Sequence, residues 1–475
     1  MHVSGTPAFE PNPLRATVSA IADESWPLVR VYLLFAWLGG LAVLLAMPPL
    51  AIWDERTHWL RAVELSQGTV FPRELSSGWP ISRVPESVVK FINTDVNAQP
   101  ERVVTWAWYA EELRKPLAPE KTTSGVQWAT TPCCYLVYLP QALGIALARA
   151  VGGGPLAMFW CGRLAALLVS SLVIAAGLRL ATTGRAVLLF VALWPSTLSL
   201  CVSHNADAMF LAVALHLCAR LLRLAQLGSV QFTVREAAIV AGLALFLGVC
   251  RFPFVLLPAC VLPLAFTGPV RSARWWFMGL MIAALGLTLC WTLVAKRLVP
   301  EKHSAPGYEC DPAAQTRFVR RHPDKALWVI GTGVLTQSAD LLLRLTHWPC
   351  RVYRYEPLLM SLLPLAWLVL LWLVDRPPPE TPARRGIAVA TLLTMATITG
   401  LIGLGMYLWW CPVEGTSLAG LQPRYFLPFV PLAGLWLPRL PVVWVGSSRL
   451  LLRTTLAVSL TVFVTGFVGL VTEYW

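Results

Sequence analysis

Long apolar runs alternate along this chain with short polar links that carry arginines. The first run extends from Leu28 to Met47. Others follow over 157–178, 186–202, 206–224, 236–250, 252–268, 275–295, 357–374, 387–410, 425–438 and 454–472. A helix needs about 20 apolar residues to cross a bilayer, and most of these runs come near that length. The pattern therefore predicts an all-α polytopic membrane protein with about eleven transmembrane helices. Two stretches differ. Residues 132–150 are broken by Pro140-Gln141, and 324–348 mix Leu327, Val329, Ile330, Leu335 and Leu341 with Asp324, Lys325, Gln337, Asp340 and Arg344. Both read as amphipathic helices lying in the membrane interface.

Sidedness follows from the arginines. Short links hold Arg179 and Arg185, then Arg220, Arg223 and Arg235, then Arg271 and Arg274, then Arg376, Arg384 and Arg385, then Arg439, Arg449 and Arg453, with few acids among them. Short basic loops face the cytoplasm. With 132–150 kept at the interface, the expectation is a cytoplasmic tail over 1–27 and a single membrane domain over 28–475. Two long loops are then external: 49–156, including the helix 132–150, and 296–356, including the helix 324–348. If 132–150 crossed instead, the later basic links would all lie outside. Pro377-Pro378-Pro379 reads as a stiff cytoplasmic connector.

Composition supports the class and removes one alternative. Of 475 residues 56% are hydrophobic and only 13% charged, which suits a polytopic chain. A net charge of +13 raises the question of nucleic acid, but the basic residues fall in ones to threes between apolar runs and form no stripe. They read as topology signals and contacts to membrane lipids, so no nucleic acid is expected as a partner. The 11 cysteines show no metal-ligand spacing, and a Cys310–Cys350 bridge requires both to lie outside the cytoplasm. Nothing resembles a cleaved signal peptide, and the absence of a convincing internal repeat disfavours inverted-repeat transporter folds.

The polar residues that remain all fall on the expected external side. Asp54, Glu55, His58 and Arg61 follow the first run, and on a helix Asp54, His58 and Arg61 share one face. A carboxylate beside an arginine at a membrane surface can take a proton from a hydroxyl or hold a divalent cation. The plainer reading is a helix cap at Asp54 with an Arg–Glu surface pair. Asn205 and Asp207 suit either an acceptor or metal site or a simple turn. Arg251 stands between two apolar runs, where a cation needs an anionic partner, and a phosphate or carboxylate fits it well. Gln422, Arg424 and Tyr425 open the run at 425, and Arg424 makes the same case more weakly.

Several of these residues carry a family resemblance. The run Pro48-Pro49…Trp53-Asp54-Glu55…His58…Arg61-Ala62…Gln67-Gly68 resembles the opening signature of a bacterial membrane-protein family, the domain of unknown function 2142. Further matches are Tyr135-Leu136-Val137-Tyr138-Leu139-Pro140-Gln141-Ala142, Asn205-Ala206-Asp207-Ala208, the basic residue at 251, and Arg424-Tyr425-Phe426-Leu427-Pro428. Arg56 departs from the usual proline, Arg251 from the common lysine and Pro423 from the usual glycine. That family looks similar to membrane glycosyltransferases of the C-type (GT-C) fold. The resemblance implies a polyprenyl-phosphate sugar donor and a glycan, lipid or protein acceptor. It implies Asp54 as catalytic base with Glu55 its neighbour, Asp207 as a second carboxylate, and Arg251 and Arg424 as ligands of the donor phosphate.

The expectation is thus a glycosyltransferase on the outer face of the bacterial cytoplasmic membrane, inverting if displacement is single. Asp54 or Glu55 takes the proton, and His58, Arg61, Asn205, Asp207, Arg251, Gln422, Arg424 and Tyr425 bind substrate. No cofactor is assigned. A divalent metal, if used, falls to Asp54 and Asp207. The rival readings are a transporter or flippase for a lipid-linked or anionic solute, and a non-catalytic scaffold of envelope-polysaccharide assembly.

Overall fold

The computed structural model describes residues 13–71, 74–76, 79–94, 104–126, 133–227, 233–267, 271–298, 310–350, 358–375, 384–436 and 448–475. Most of the expected tail and the Pro377-Pro378-Pro379 connector lie outside these residues or their described side chains. In chain order the helices are α1 (Pro13–Ala46), α2 (Glu55–Ser66), α3 (Glu86–Ile92), α4 (Trp106–Arg114), α5 (Leu139–Ala150), α6 (Pro155–Leu180), α7 (Arg185–Ala192), α8 (Pro195–Cys201) and α9 (Asp207–Leu227). After them come α10 (Val234–Cys250), α11 (Leu262–Thr267), α12 (Arg271–Leu298), α13 (Pro312–Arg321), α14 (Pro323–Leu343), α15 (Leu358–Val374), α16 (Arg384–Trp410) and α17 (Ser448–Tyr474).

Among the described residues seven helices are long and apolar enough to cross a membrane: α1, α6, α9, α12, α14, α16 and α17. Their burial sorts them. The apolar window of α9 is 83% buried and that of α12 only 17%, so α9 stands at the centre and α12 at the edge. Leu34, Leu38, Leu41 and Leu45 form an exposed row on α1 at helical spacing, as a lipid-facing stripe requires. The chain is a helical multi-pass membrane protein.

Three of the expected spans are not continuous α-helices. The run 186–202 breaks at Trp194-Pro195 into α7 and α8. The run 252–268 is a 3₁₀ helix, Phe252–Val261, followed by α11, and 425–438 holds a 3₁₀ helix, Leu427–Leu435. The reason is proline. Pro253, Pro258 and Pro263 in one, and Pro428 and Pro431 in the other, remove amide donors at intervals too short for an α-helix to propagate. Irregular backbone is costly in lipid, and these segments are accordingly enclosed by protein: every residue from Leu427 to Leu435 is buried. The broken run 186–202 is held at both its parts: Asp375, after α15, accepts from the Ala186 amide at the start of α7, and Ser196 in α8 donates to the Leu345 carbonyl after α14.

The polar loop between α1 and α5 holds a three-stranded antiparallel sheet, β1 (Glu74–Ser76), β2 (Trp79–Pro85) and β3 (Thr122–Val126), in the order β1-β2-β3, with α3 beside it and α4 packed on α6. The apolar pattern had announced no strands there. The expected interfacial stretch 132–150 forms a 3₁₀ turn, Tyr135–Tyr138, and α5, which packs closely on the first turns of α6 where Gly144 leaves no room for a side chain against the Cys161 carbonyl. Leu136, Leu139, Leu143, Leu147 and Val151 face outward from it. The expected amphipathic helix 324–348 is α14, which by length and composition is also able to cross. Ala326, near its start, packs with Tyr407 and Cys411 at the end of α16, and past its end the Pro349 carbonyl accepts from the Trp53 amide. No disulfide joins Cys310 and Cys350.

Candidate functional site

Four helix ends meet at one end of the bundle. The chain leaves α1 at Met47, turns through Pro48-Pro49 and reaches Asp54, the residue just before α2. Asp207 is the first residue of the central helix α9, Arg251 follows the last residue of α10, and Arg424 sits in a 3₁₀ turn, Pro423–Tyr425, reached from α16. The turn carrying Asp54 is clamped from several sides. The Trp53 amide donates to the Pro349 carbonyl at 2.9 Å, and Asn205 Nδ2 donates to the Trp53 carbonyl at 3.0 Å. Asp54 itself has φ 67°, in the left-handed region that residues other than glycine uncommonly adopt, and its side chain makes no capping bond to α2. It is turned to Arg424 instead.

The result is a row of alternating charge. Asp54 Oδ2 pairs with Arg424 Nη2; Arg424 Nη1 lies 3.5 Å from Asp207 Oδ2; and Asp207 Oδ1 lies 2.5 Å from Arg251 Nη2. The Tyr425 ring lies beside both guanidiniums, 5.0 Å from that of Arg251 and 5.8 Å from that of Arg424, and Phe210 lies 5.0 Å from Arg251. The row closes at its middle and opens at its ends. The side chains of Asp207 and Arg424 are 4% and 8% exposed, those of Asp54 and Arg251 50% and 25%. Among the described residues two buried donors in the row have no partner, Arg251 Nη1 and Arg424 Nε.

Desolvation pushes the Asp54 carboxyl toward a higher pKa, but Arg424, with His58 and Arg251 behind it, outweighs this and holds it below the ordinary value. Arg424 is pushed the other way: burial works against its charge, yet Asp207 and Asp54 more than compensate and raise its pKa. His58 is buried, and its Nδ1 lies 2.7 Å from the Tyr138 hydroxyl. Burial lowers its pKa to about 4, so it is neutral near pH 7 despite the pull of Asp54 and Asp207.

Other predicted residues are placed elsewhere. Glu55 is fully buried, and both its oxygens are taken by Arg163, Nε to Oε1 at 2.9 Å and Nη2 to Oε2 at 2.6 Å, with the His204 amide on Oε1 at 3.1 Å. Glu55 has no free face toward the row, so of the two candidate bases the geometry favours Asp54. Arg61 turns to Glu64 at 2.8 Å and to the Val70 carbonyl, although it shares a helix face with Asp54. Gln422 precedes the 3₁₀ turn with a buried Oε1 that has no hydrogen-bond partner among the described residues.

Arg163 escaped the sequence reading. It ties Glu55 to the Met47 and Pro48 carbonyls at 2.9 and 3.1 Å, so it fixes where the chain leaves α1. Its signal was available: a lone arginine inside the apolar run 157–178, the argument already used for Arg251. Tyr138 and Gln141 lie within the motif at 135–142, and the sequence alone assigns them no role; Gln141 Nε2 donates to the Ser203 and Asn205 carbonyls at 3.4 and 3.5 Å. Phe210 had no signal, being one of many aromatics on an apolar helix.

The arrangement does not fit a divalent ion shared by Asp54 and Asp207. Arg424 already stands between the two carboxylates, and no cluster of three or more His, Cys, Asp or Glu suited to a metal occurs among the described residues. What the row can do is bind an anion at its arginines and offer an exposed carboxylate beside it.

Comparison with known proteins agrees with the fold class. A family model described as predicted membrane protein (DUF2142) matches residues 36–433, which contain every member of the row. No curated protein and no solved structure matches the chain.

Proposed function

The chain belongs to this DUF2142 family of membrane proteins, and we propose that it is a glycosyltransferase that moves a sugar from a polyprenyl phosphate to a hydroxyl acceptor on the outer face of a bacterial cytoplasmic membrane. The observation that carries this reading is the row Asp54–Arg424–Asp207–Arg251, exposed at a carboxylate and at an arginine. A phosphate diester calls for arginines and an attacking hydroxyl for a carboxylate, and the row carries both. Arg251 and Arg424, each with an unpaired N–H, bind the donor phosphate. Asp54 accepts the proton of the acceptor hydroxyl as its oxygen attacks the anomeric carbon. The bond from that carbon to the phosphate oxygen breaks, its electron pair leaves with polyprenyl phosphate, and the two arginines stabilise the added charge. A single displacement inverts the anomeric centre. Asp207 holds both arginines in place, and the Trp53 carbonyl, gripped by Asn205, holds Asp54.

The purified protein in lipid nanodiscs, supplied with a polyprenyl-phosphate sugar and a hydroxyl acceptor, is expected to release polyprenyl phosphate and glycosylate the acceptor. Transfer that survives Asp54→Asn unchanged removes Asp54 as base. Movement of labelled lipid-linked sugar across proteoliposomes with no transfer would favour the transporter.

A further inference from the structure

We propose that the Arg424 guanidinium is a shared ligand, held by Asp54 before the donor arrives and taken by the donor phosphate on binding, so that the Asp54 carboxylate is freed only once the donor is seated. This rests on the glycosyltransferase reading and adds an order of events to it, donor before acceptor.

The argument starts from charge. Asp54, Arg424, Asp207 and Arg251 sum to zero formal charge, so an arriving phosphate adds an anion to a row whose cations are already engaged. The phosphate therefore competes with the carboxylates for the two guanidiniums, and pairing it with the Arg424 Nη2 that Asp54 holds requires that bond to open. The two carboxylates are not equal. Asp207 is 4% exposed and held at 2.5 Å by Arg251, and stripping its partners would leave a buried anion uncompensated. Asp54 is 50% exposed, so water can replace the guanidinium. Asp54 is therefore the one that gives way. Arg424 need not leave Asp207 to make the exchange, because its buried Nε has no partner, and neighbouring Arg251 offers Nη1 in the same condition.

The local backbone points the same way. Asp54 keeps its arginine at φ 67°, a conformation disfavoured for any residue but glycine, and forgoes the cap that an aspartate at the start of a helix normally makes. In this geometry the Asp54 carbonyl serves α2, accepting from Thr57 and His58, and the side chain is given to Arg424. While the pair holds, the carboxylate is a weaker base, and acceptor hydroxyls are not activated.

The test uses the full chain in nanodiscs and farnesyl phosphate, a short polyprenyl monophosphate, as probe. Asp54→Asn, isosteric and at a half-exposed position, is expected to bind it about tenfold more tightly than wild type, because the competitor for Arg424 is gone. In wild type, farnesyl phosphate is expected to increase labelling of Asp54 by a water-soluble carbodiimide, read by mass spectrometry. Both results are required. Equal affinity in the variant, or labelling that stays level or falls, overturns the exchange while leaving the phosphate site standing. Absence of binding to both proteins overturns the exchange and the phosphate site together.

Discussion

Asp54 and Glu55 are adjacent in the chain, carry the same charge and each pair with an arginine, yet they do opposite work. Glu55 is sealed: Arg163 binds both its oxygens, the His204 amide adds a third bond, and neither side chain of the pair is exposed. Two buried charges so fully paired hold α1, α2, α6 and the turn before α9 in one arrangement, and removing either would strand the other. Asp54 has one arginine, half of its surface open, and a backbone conformation that costs energy. The difference lies in which way one residue step turns the side chain at the start of α2. A saturated ion pair builds the scaffold, and an unsaturated one beside it is left open.

That contrast can be broken by experiment. The largest effect is expected for Asp54→Asn, a loss of sugar transfer of about 100- to 10,000-fold with a change in unfolding free energy below about 1 kcal/mol. Comparable destabilisation of Asp54→Asn and Glu55→Gln would erase the distinction. Arg163→Met is expected to cost about 3–5 kcal/mol of stability by leaving Glu55 buried and unpaired. This is measured by thermal unfolding in detergent, and Arg163→Met should lower expression before it lowers the specific activity of whatever folds. Arg251→Gln is expected to raise the KM for donor by about tenfold or more through loss of a charge-assisted hydrogen bond. Arg251→Lys, which keeps the charge, should stay within a few fold.

Smaller effects refine the surroundings of Asp54. The folded pKa of His58, about 4, lies below the unfolded value of 6.5, so the unfolded state binds more protons between these values. Stability is then whole above about pH 6.5 and falls as the pH drops toward 4. His58→Asn should remove about one proton from that slope, roughly 1.4 kcal/mol per pH unit. His204 and His347 are depressed by burial in the same direction, so the wild-type slope is shared and the difference between the two proteins is the measurement. Tyr138→Phe should cost about 1 kcal/mol, the net value of its bond to His58. A pH slope unaltered in His58→Asn would mean that His58 titrates normally.

Much of the candidate site was legible because charge is expensive beside lipid. Asp54, Asp207, Arg251 and Arg424 stood out as polar residues at the ends of apolar runs, and they prove to be neighbours. Arg163 is equally conspicuous by that logic, a lone cation at mid-run, but its partner Glu55 reads in the sequence as a companion of Asp54. Arg61 misled for a related reason. Spacing of i and i+7 puts two residues on one helix face, yet does not say that both reach the same end, and Arg61 finds Glu64 one turn on. Local spacing cannot choose among partners that the fold brings from a hundred residues away.

For the architecture the division is similar. Hydrophobic run length by itself determined that this is a helical multi-pass membrane protein, because a bilayer admits little else. Family membership was equally visible, through motifs spread over most of the chain. Only the tertiary structure decided that Pro-rich runs such as Phe252–Val261 and Leu427–Leu435 would be 3₁₀ segments: their backbone is tolerable only where neighbouring helices enclose it. The tertiary structure also decided which of two adjacent carboxylates would be buried and which left open. Sequence prices a charge near a membrane, but whether that charge is cancelled or kept available depends on which arginine the folded chain sets against it.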